Sequence, residues 1–468
     1  MMYLLCARLR QICAAKYSGS CTLADVRLNM GILFRISYLL AVFCIILVPI
    51  RIPEIDLTIH DVFLFCAVGI WLIEYVVYRG SRGWTFPLHP LWIAGLMILI
   101  GGLLSSPGAV LPISSLVVTM KTFFVLTLWV SVTMVMVCRN GFWQTVWVFS
   151  FAVMVVSGIA VFDRIVGTDI GGAISGRATP WYDRSDGTLT HPNELAYLTS
   201  VGLPILFGLL LHELQTQRRR ILLVILAFTV VLVAVTIYLT GSMAGLLGTL
   251  VAMGLLLLLA FLKSNFQVRL GLGLLSLLLG LGLAVYISAP ERLNRVEKFS
   301  GENISRVLNI TGPSRLSIVF ESVDAMSSNP IIGFGMDQSA TGGLLDKERV
   351  TRLGIHNVIF ASWVSGGLPA LVGMLFGYGV ALLIAVHAMR RGVQYGDWIV
   401  VAIGAATFAW LLFDQTQPSL HHRTSWFTTA LLFGLGYTIR FVLPRARFAA
   451  EANLNADSAR DNYLQAEP

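Results

Sequence analysis

Charge is scarce in this chain. Asp, Glu, Lys and Arg together make 12% of its 468 residues, whereas 56% are hydrophobic. A soluble domain carries about twice that charged fraction, so the composition excludes one and leaves a polytopic membrane protein. Cysteine is also sparse, at six residues: Cys6, Cys13 and Cys21 precede the first apolar run, Cys44, Cys66 and Cys138 lie within apolar runs, and the long polar segments hold none. That placement supports no disulfide framework, and the lack of a CxxC or Cys/His cluster leaves no case for a zinc site. A signal-peptide core is missing as well. The first apolar run is too long for one and has no clear small-residue cleavage site, so it reads as a span.

What the chain has in quantity is apolar runs of the length an α-helix needs to cross the hydrocarbon core, roughly 17–25 residues. Twelve are read, at 32–50, 61–78, 88–105, 119–138, 142–162, 194–212, 221–239, 242–262, 270–288, 356–386, 397–414 and 424–443. The expected fold is therefore all-α, a transmembrane helix bundle of about 12 spans with a large helix-containing outer loop between spans 9 and 10. Its parts are an N-terminal segment at 1–31, spans 1–9 over 32–288 with an outer loop at 163–193, the large loop at 289–355, spans 10–12 over 356–443 and a tail at 444–468. The tenth run is long enough to require a tilted helix or an interfacial extension.

Lys and Arg in short loops are retained on the cytoplasmic side. With the N-terminus inside, Arg79, Arg82, Arg139, Arg218, Arg219, Arg220, Lys263, Arg269, Arg390 and Arg391 all fall in inner loops, and the short outer loops offer little beyond Arg51 and Arg423. The net charge of +8 then reflects attraction to anionic lipid, and nucleic acid is not needed to explain it. Glu74, near a span end, is expected to snorkel to the interface.

Polar chemistry collects in the two long outer loops. In the smaller, Arg177, Arg184, Gly187, His191, Pro192 and Asn193 precede the sixth span. Guanidinium groups bind phosphate oxygens bidentately, and low dielectric near the membrane strengthens the pairing, so a diphosphate headgroup is a sensible ligand. Pairing with Asp183, Asp186 or Glu194 is the structural alternative. The larger loop carries eight basic and eight acidic residues. Within it Leu316, Val319, Phe320, Val323 and Met326 recur at helical spacing between Pro313-Ser314 and Asn329-Pro330, which predicts an amphipathic helix with Arg315 in its first turn, beside anion-attracting N–H groups. Gly333 to Asp337, GFGMD, reads as a tight turn. His356 and Asn357 then open the tenth run. An imidazole where a wet loop enters the bilayer is suited to accept a proton near neutrality; anchoring a helix end at the headgroup level is the competing role. The adjacent His421 and His422 point different ways on an extended stretch and read as solvated surface. Gly241, Gly245 and Gly248 are assigned to helix packing, while Ser242 is ambiguous.

These pieces share an order: Arg184-x-x-Gly187, Pro192-Asn193, Thr240-Gly241-Ser242, Arg315, Asn329-Pro330-x-x-Gly333-x-Gly335, His356-Asn357 and Gly366-Gly367. That order resembles the O-antigen ligase and polymerase superfamily over about residues 180–385. The resemblance implies an inverting, metal-independent glycosyltransferase of the bacterial cytoplasmic membrane that uses an undecaprenyl-diphosphate-linked glycan donor on the periplasmic face without a nucleotide sugar. Its acceptor would be another glycan repeat or lipid A-core. It also implies that His356 is the catalytic histidine and that Arg315 and Arg184 bind substrate, with Arg177, Asn193 and Asn357 beside them. Members commonly carry an arginine after the serine that opens the eighth span; here the sequence is Ser242-Met243-Ala244, so either the diphosphate falls to Arg177, Arg184 or another outer residue, or activity is altered. A multi-span transporter or flippase of lipid-linked glycans shares the composition, but the spans here are nearly free of midplane charge, unlike those of many transporters.

Overall fold

The computed structural model of the chain describes residues 23–47, 51–52, 57–82, 88–109, 111–175, 184–189, 191–216, 220–263, 326–327, 330–336, 357–415 and 423–437. Among these residues the fold is helical apart from a two-residue antiparallel ladder between β1 (Arg51–Ile52) and β2 (Leu57–Thr58). The helices in chain order are α1 (Leu23–Phe43), α2 (Ile59–Arg82), α3 (Leu91–Ser105), α4 (Pro112–Phe124), α5 (Val130–Met136), α6 (Phe142–Val166), α7 (Ile170–Ser175), α8 (Pro192–Thr216), α9 (Arg220–Thr240), α10 (Met243–Lys263), α11 (Val358–Tyr395), α12 (Trp398–Phe413) and α13 (Arg423–Tyr437). Eleven of the twelve apolar runs fall on helices, and the run at 270–288 lies outside the described residues. Among the described residues, seven helices are long and apolar enough to cross a membrane. The protein is a multi-pass membrane protein.

Backbone groups in lipid must be satisfied within the chain, which leaves helices as the spanning form for such sequences. The helices sort their faces accordingly. Ile221 and Val224 on α9 are 79% and 70% exposed, as residues that meet acyl chains would be. α8 is the most enclosed span, with 89% of its apolar window buried. Small residues let its neighbours come close: a Cβ on Gly208 would meet Ala402 of α12, one on Gly202 would meet Val153 of α6, and one on Gly245 of α10 would meet Ala196. Gly245 and Gly248 thus serve packing as expected. Gly241 does not; its φ of 62° makes the turn between α9 and α10.

Two reversals shape the bundle. Trp129 and Phe149 lie on either side of Asn140, whose φ is 61°, and both rings meet Phe427, at 6.2 and 4.6 Å between centroids. Twenty residues of straight helix would separate them by about 30 Å, so α4–α5 and α6 form an antiparallel pair. The second reversal lies inside α11 at Gly367, with φ 65° and ψ −161°. Val358 and Tyr378 are also twenty positions apart in sequence, yet both bond to Asp414. The tenth run is therefore neither a tilted rod nor a rod with an interfacial extension. It is a short helix of residues 358–366 folded back on a long one.

Glu74 does not snorkel. It is 5% exposed and pairs with Arg139 at 2.5 Å, while Arg35 donates to the Arg139 carbonyl at 2.5 Å and the Arg139 guanidinium lies 4.6 Å from the centroid of Phe34. The pair ties α1 and α2 to the Arg139–Asn140 reversal, where a carboxylate and a cation compensate each other in a place too dry for either alone.

Helix ends gather at two faces. The start of α8, the end of α9 and the starts of α10 and α13 share one, joined by a hydrogen bond from Ser185 N–H to Leu239 O and by the Tyr197 hydroxyl on Ser425. Phe413 at the end of α12 stands there too, 4.7 Å from Tyr197 between ring centroids. The start of α9 at Arg220, the end of α10 at Lys263 and the last turns of α11 with Arg390 and Arg391 lie at the opposite face.

Candidate functional site

Arg184 is placed by a turn and a helix start. Gly241 closes the α9–α10 turn with its N–H on Tyr238 O at 3.1 Å, which presents the Thr240 carbonyl outward. Arg184 Nε donates to that carbonyl at 2.6 Å, and Nη2 donates to Asn193 Oδ1 at 2.7 Å. These two bonds orient the guanidinium. Gly187 holds the approach: its φ is 57°, and a Cβ there would come within 2.8 Å of Val156 on α6. Ser242 resolves as a helix cap, accepting from Gly245 N–H at 3.3 Å. Met243 is 59% exposed, so its side chain does not enter the bundle.

His191 caps α8. Its Nδ1 accepts from Asn193 N–H at 3.0 Å and its carbonyl accepts from Glu194 N–H at 2.9 Å. Desolvation lowers its pKa from the ordinary 6.5, the Arg184 cation lowers it further, and Glu194 opposes both. A ring whose pKa is lower in the folded state than in the unfolded chain adds stability above the unfolded value, and that stability is lost as pH falls through the folded value. Thermal unfolding in detergent should therefore show stability declining as the pH drops below about 6.5, and His191→Ala should flatten that decline. An unchanged slope in the variant would remove His191 from the account.

Asn357 stands at the head of α11 on the same face. Its Oδ1 accepts from Ile359 and Phe360 N–H at 3.0 and 3.2 Å, satisfying donors that a helix start leaves open. Its Nδ2 donates to Gln415 Oε1 at 3.2 Å. Val358 N–H donates to Asp414 O at 3.1 Å, so the head of α11 is sewn to the end of α12. Tyr197 links this group to Arg184: it lies one helical turn after Asn193, hence on the same face of α8, and touches Phe413 and Ser425.

The segment Pro330–Met336 docks on the α11 reversal. Phe334 and Gly335 N–H donate to Val364 O and Ser365 O at 2.9 and 2.8 Å, and Leu368 N–H donates to Ile331 O at 3.1 Å. Met336 N–H reaches Ser115 Oγ at 2.8 Å. The glycines of the GFG turn thus allow backbone to approach backbone. Met326, the last apolar position of the expected amphipathic helix, is fully buried against Ala361 and Val364; apart from Met326 and Ser327 that helix lies outside the described residues.

Of the residues expected to form the site, Arg184 and Asn193 are in contact and Asn357 shares their face. His356, Arg315 and Arg177 lie outside the described residues. Residues 228–375 match the family model for O-antigen ligase. The match supports the O-antigen ligase and polymerase superfamily, and it takes in α9 from Phe228 onward, the α9–α10 turn, α10, the docked GFG segment and the reversal of α11. Arg184 and Asn193 lie ahead of the O-antigen ligase match but bond to the turn inside it. No curated protein matches the chain. Sequence reasoning missed Tyr197, Tyr378, Asp414 and Gln415. The signal for Asp414 was present, since a carboxylate closing an apolar run is costly to bury and is kept for a reason.

Proposed function

We propose that the protein is a membrane glycosyltransferase of the O-antigen ligase and polymerase type. It moves a glycan from undecaprenyl diphosphate to a hydroxyl of a growing repeat or of lipid A-core on the periplasmic face of the bacterial cytoplasmic membrane. The acceptor oxygen attacks the anomeric carbon from the side opposite the diphosphate, the bond from that carbon to the phosphate oxygen breaks, and undecaprenyl diphosphate departs with inversion. His356 takes the hydroxyl proton. Arg184, Arg315 and Arg177 meet the charge that grows on the leaving diphosphate, Asn193 holds Arg184 in line, and Asn357 fixes the helix head next to the base. The reaction draws on no nucleotide sugar and no metal, and the face opposite the site, with Arg220, Lys263, Arg390 and Arg391, sits in the cytoplasm by the positive-inside rule.

The observation that carries this reading is the O-antigen ligase match across 228–375, the stretch that holds both the turn bonded by Arg184 and the helix capped by Asn357. Purified protein in liposomes, given lipid-linked repeat units and lipid A-core separately, tests it. A ladder of masses identifies polymerase activity and a single capped lipid identifies ligase activity. If the lipids only change leaflet and no covalent product forms, the reading fails.

A further inference from the structure

The loop that carries Arg184 is gripped from several sides. Ser185 N–H donates to Leu239 O of α9 at 3.1 Å, and the Thr188 hydroxyl donates to Ile46 O, just past α1, at 2.5 Å. Gly187 lies against Val156 and Ala160 of α6. One turn further along the same face of α6 stands Asp163, and its carboxylate gathers the chain that follows the helix. Oδ1 accepts from the Thr168 hydroxyl at 2.7 Å and from Ile170 N–H at 3.0 Å, and Oδ2 accepts from Gly171 N–H at 2.8 Å. α6 stops at Gly167, whose φ is 76°, so the chain turns back and α7 is laid against the Gly187 loop. There Gly171 meets Gly187 backbone to backbone: a Cβ on Gly171 would stand on the Gly187 carbonyl oxygen and 2.6 Å from its carbon. Glycine is a poor helix former, yet α7 opens Ile170-Gly171-Gly172, and at Gly171 this close approach is the reason. Gly172 faces elsewhere, toward the Asp169 carboxylate that accepts its N–H at 3.0 Å.

We propose that Asp163 and Gly171 are positioning residues for glycan transfer. Asp163 fastens α7 as a bracket, and Gly171 lets the bracket set the depth of the Gly187 turn and, three residues before it, of the Arg184 guanidinium. This rests on the glycosyltransferase reading, with Arg184 as a ligand of the diphosphate. Thr240 O and Asn193 aim the guanidinium from the side, but they aim it at the right point only while the loop backbone keeps its height, and a misplacement of about 1 Å can cost on the order of 10²-fold. A methyl at Gly171 pushes on the Gly187 carbonyl. Val156 of α6 stands close behind that turn and leaves it little room to retreat, so the shift passes along the loop to Arg184.

The test is a double-mutant cycle on the binding of undecaprenyl diphosphate to the full chain in lipid nanodiscs. Arg184→Ala and Gly171→Ala should each weaken binding about 10-fold, the worth of a charge-assisted hydrogen bond or two. Asp163→Ala, which releases the bracket without crowding the loop, should act in the same direction. Gly172→Ala, whose methyl meets a carboxylate that can turn away, should stay within about 3-fold of wild type. In an Arg184→Ala background the further loss from Gly171→Ala or Asp163→Ala should shrink to less than about 3-fold, because changes that act through one group do not add. Undiminished losses in that background mean that the bracket serves the fold at large, and they overturn the inference; so does an Arg184→Ala protein that binds the lipid normally. Should Gly171→Ala fail to insert, Asp163→Ala is judged by the same cycle. Glycan transfer by the wild type is measured beside it: a protein that binds undecaprenyl diphosphate but forms no covalent product from a lipid-linked repeat sinks the glycosyltransferase reading, and with it the claim that the bracket serves transfer.

Discussion

His356→Ala is expected to lower glycan transfer by about 10²–10⁴, the usual worth of a positioned general base, while the chain still inserts and binds donor. Two imidazoles are candidates for taking the proton, and one of them is already committed. His191 stands beside Arg184, but its Nδ1 lone pair accepts the N–H of Asn193, so in the neutral ring the proton sits on Nε2 and the basic nitrogen is committed to the helix start. Using it as a base would break the cap of α8 and bring a cation against Arg184. His356 is bonded to Asn357, and Asn357 is fixed on two sides, by the amides of α11 and by Gln415. Single-turnover assays with labelled donor separate the step from binding: loss of rate with donor affinity retained supports the base, and near-wild-type rates reject it. Replacing His191 should leave that rate within a few-fold of normal, because its task is to hold a helix end.

The helices were legible because lipid imposes one rule on every span, and apolar length reports it directly. Eleven of the apolar runs became helices for this reason. Arg184 and Asn193 stand out in the sequence as polar residues of one loop, but the bond between them does not, since the partners the sequence offers the arginine are the nearby acids Asp183, Asp186 and Glu194. The reversal at Gly367 was not. The stretch from Val358 to Ala388 holds no Asp, Glu, Lys or Arg, and periodicity cannot distinguish one long helix from two segments folded against each other. Gly366-Gly367 was visible as a motif, but glycine pairs in spans usually mean close packing. The signature that separates the cases is the contact of Val358 and Tyr378 with one residue, Asp414, more than thirty positions later, and no local pattern contains it. Glu74 was misjudged for a similar reason. Its partner, Arg139, is 65 residues away, and without that partner a span-end carboxylate belongs at the interface.

Gly367→Ala should be among the most damaging single-methyl substitutions in the protein, and Gly379→Ala, twelve residues on in the same helix, should be harmless. At Gly367 two effects add. The backbone sits at φ 65° and ψ −161°, a region essentially restricted to glycine and costing other residues about 1–3 kcal/mol. A Cβ would also stand 2.0 Å from the Ile331 carbonyl oxygen and 2.5 Å from its carbon, so the 330–336 segment has to lift away. Lifting it breaks the bonds from Phe334, Gly335 and Leu368 together, since all three lie across the same seam. The segment cannot yield on its side either, because a Cβ on Gly333 would stand 2.4 Å from Gly367 N. Gly379 has helical backbone and nothing within 4 Å of its Cβ position, so alanine there should stabilise by up to about 1 kcal/mol through helix propensity. Thermal unfolding in detergent and amide exchange at Phe334 and Gly335 measure both variants. Loss of protection at those amides in Gly367→Ala, with protection kept in Gly379→Ala, is the expected pair of results. Equal protection in the two would mean that the reversal of α11 tolerates a side chain, and the head of the re-entrant helix would then need another anchor.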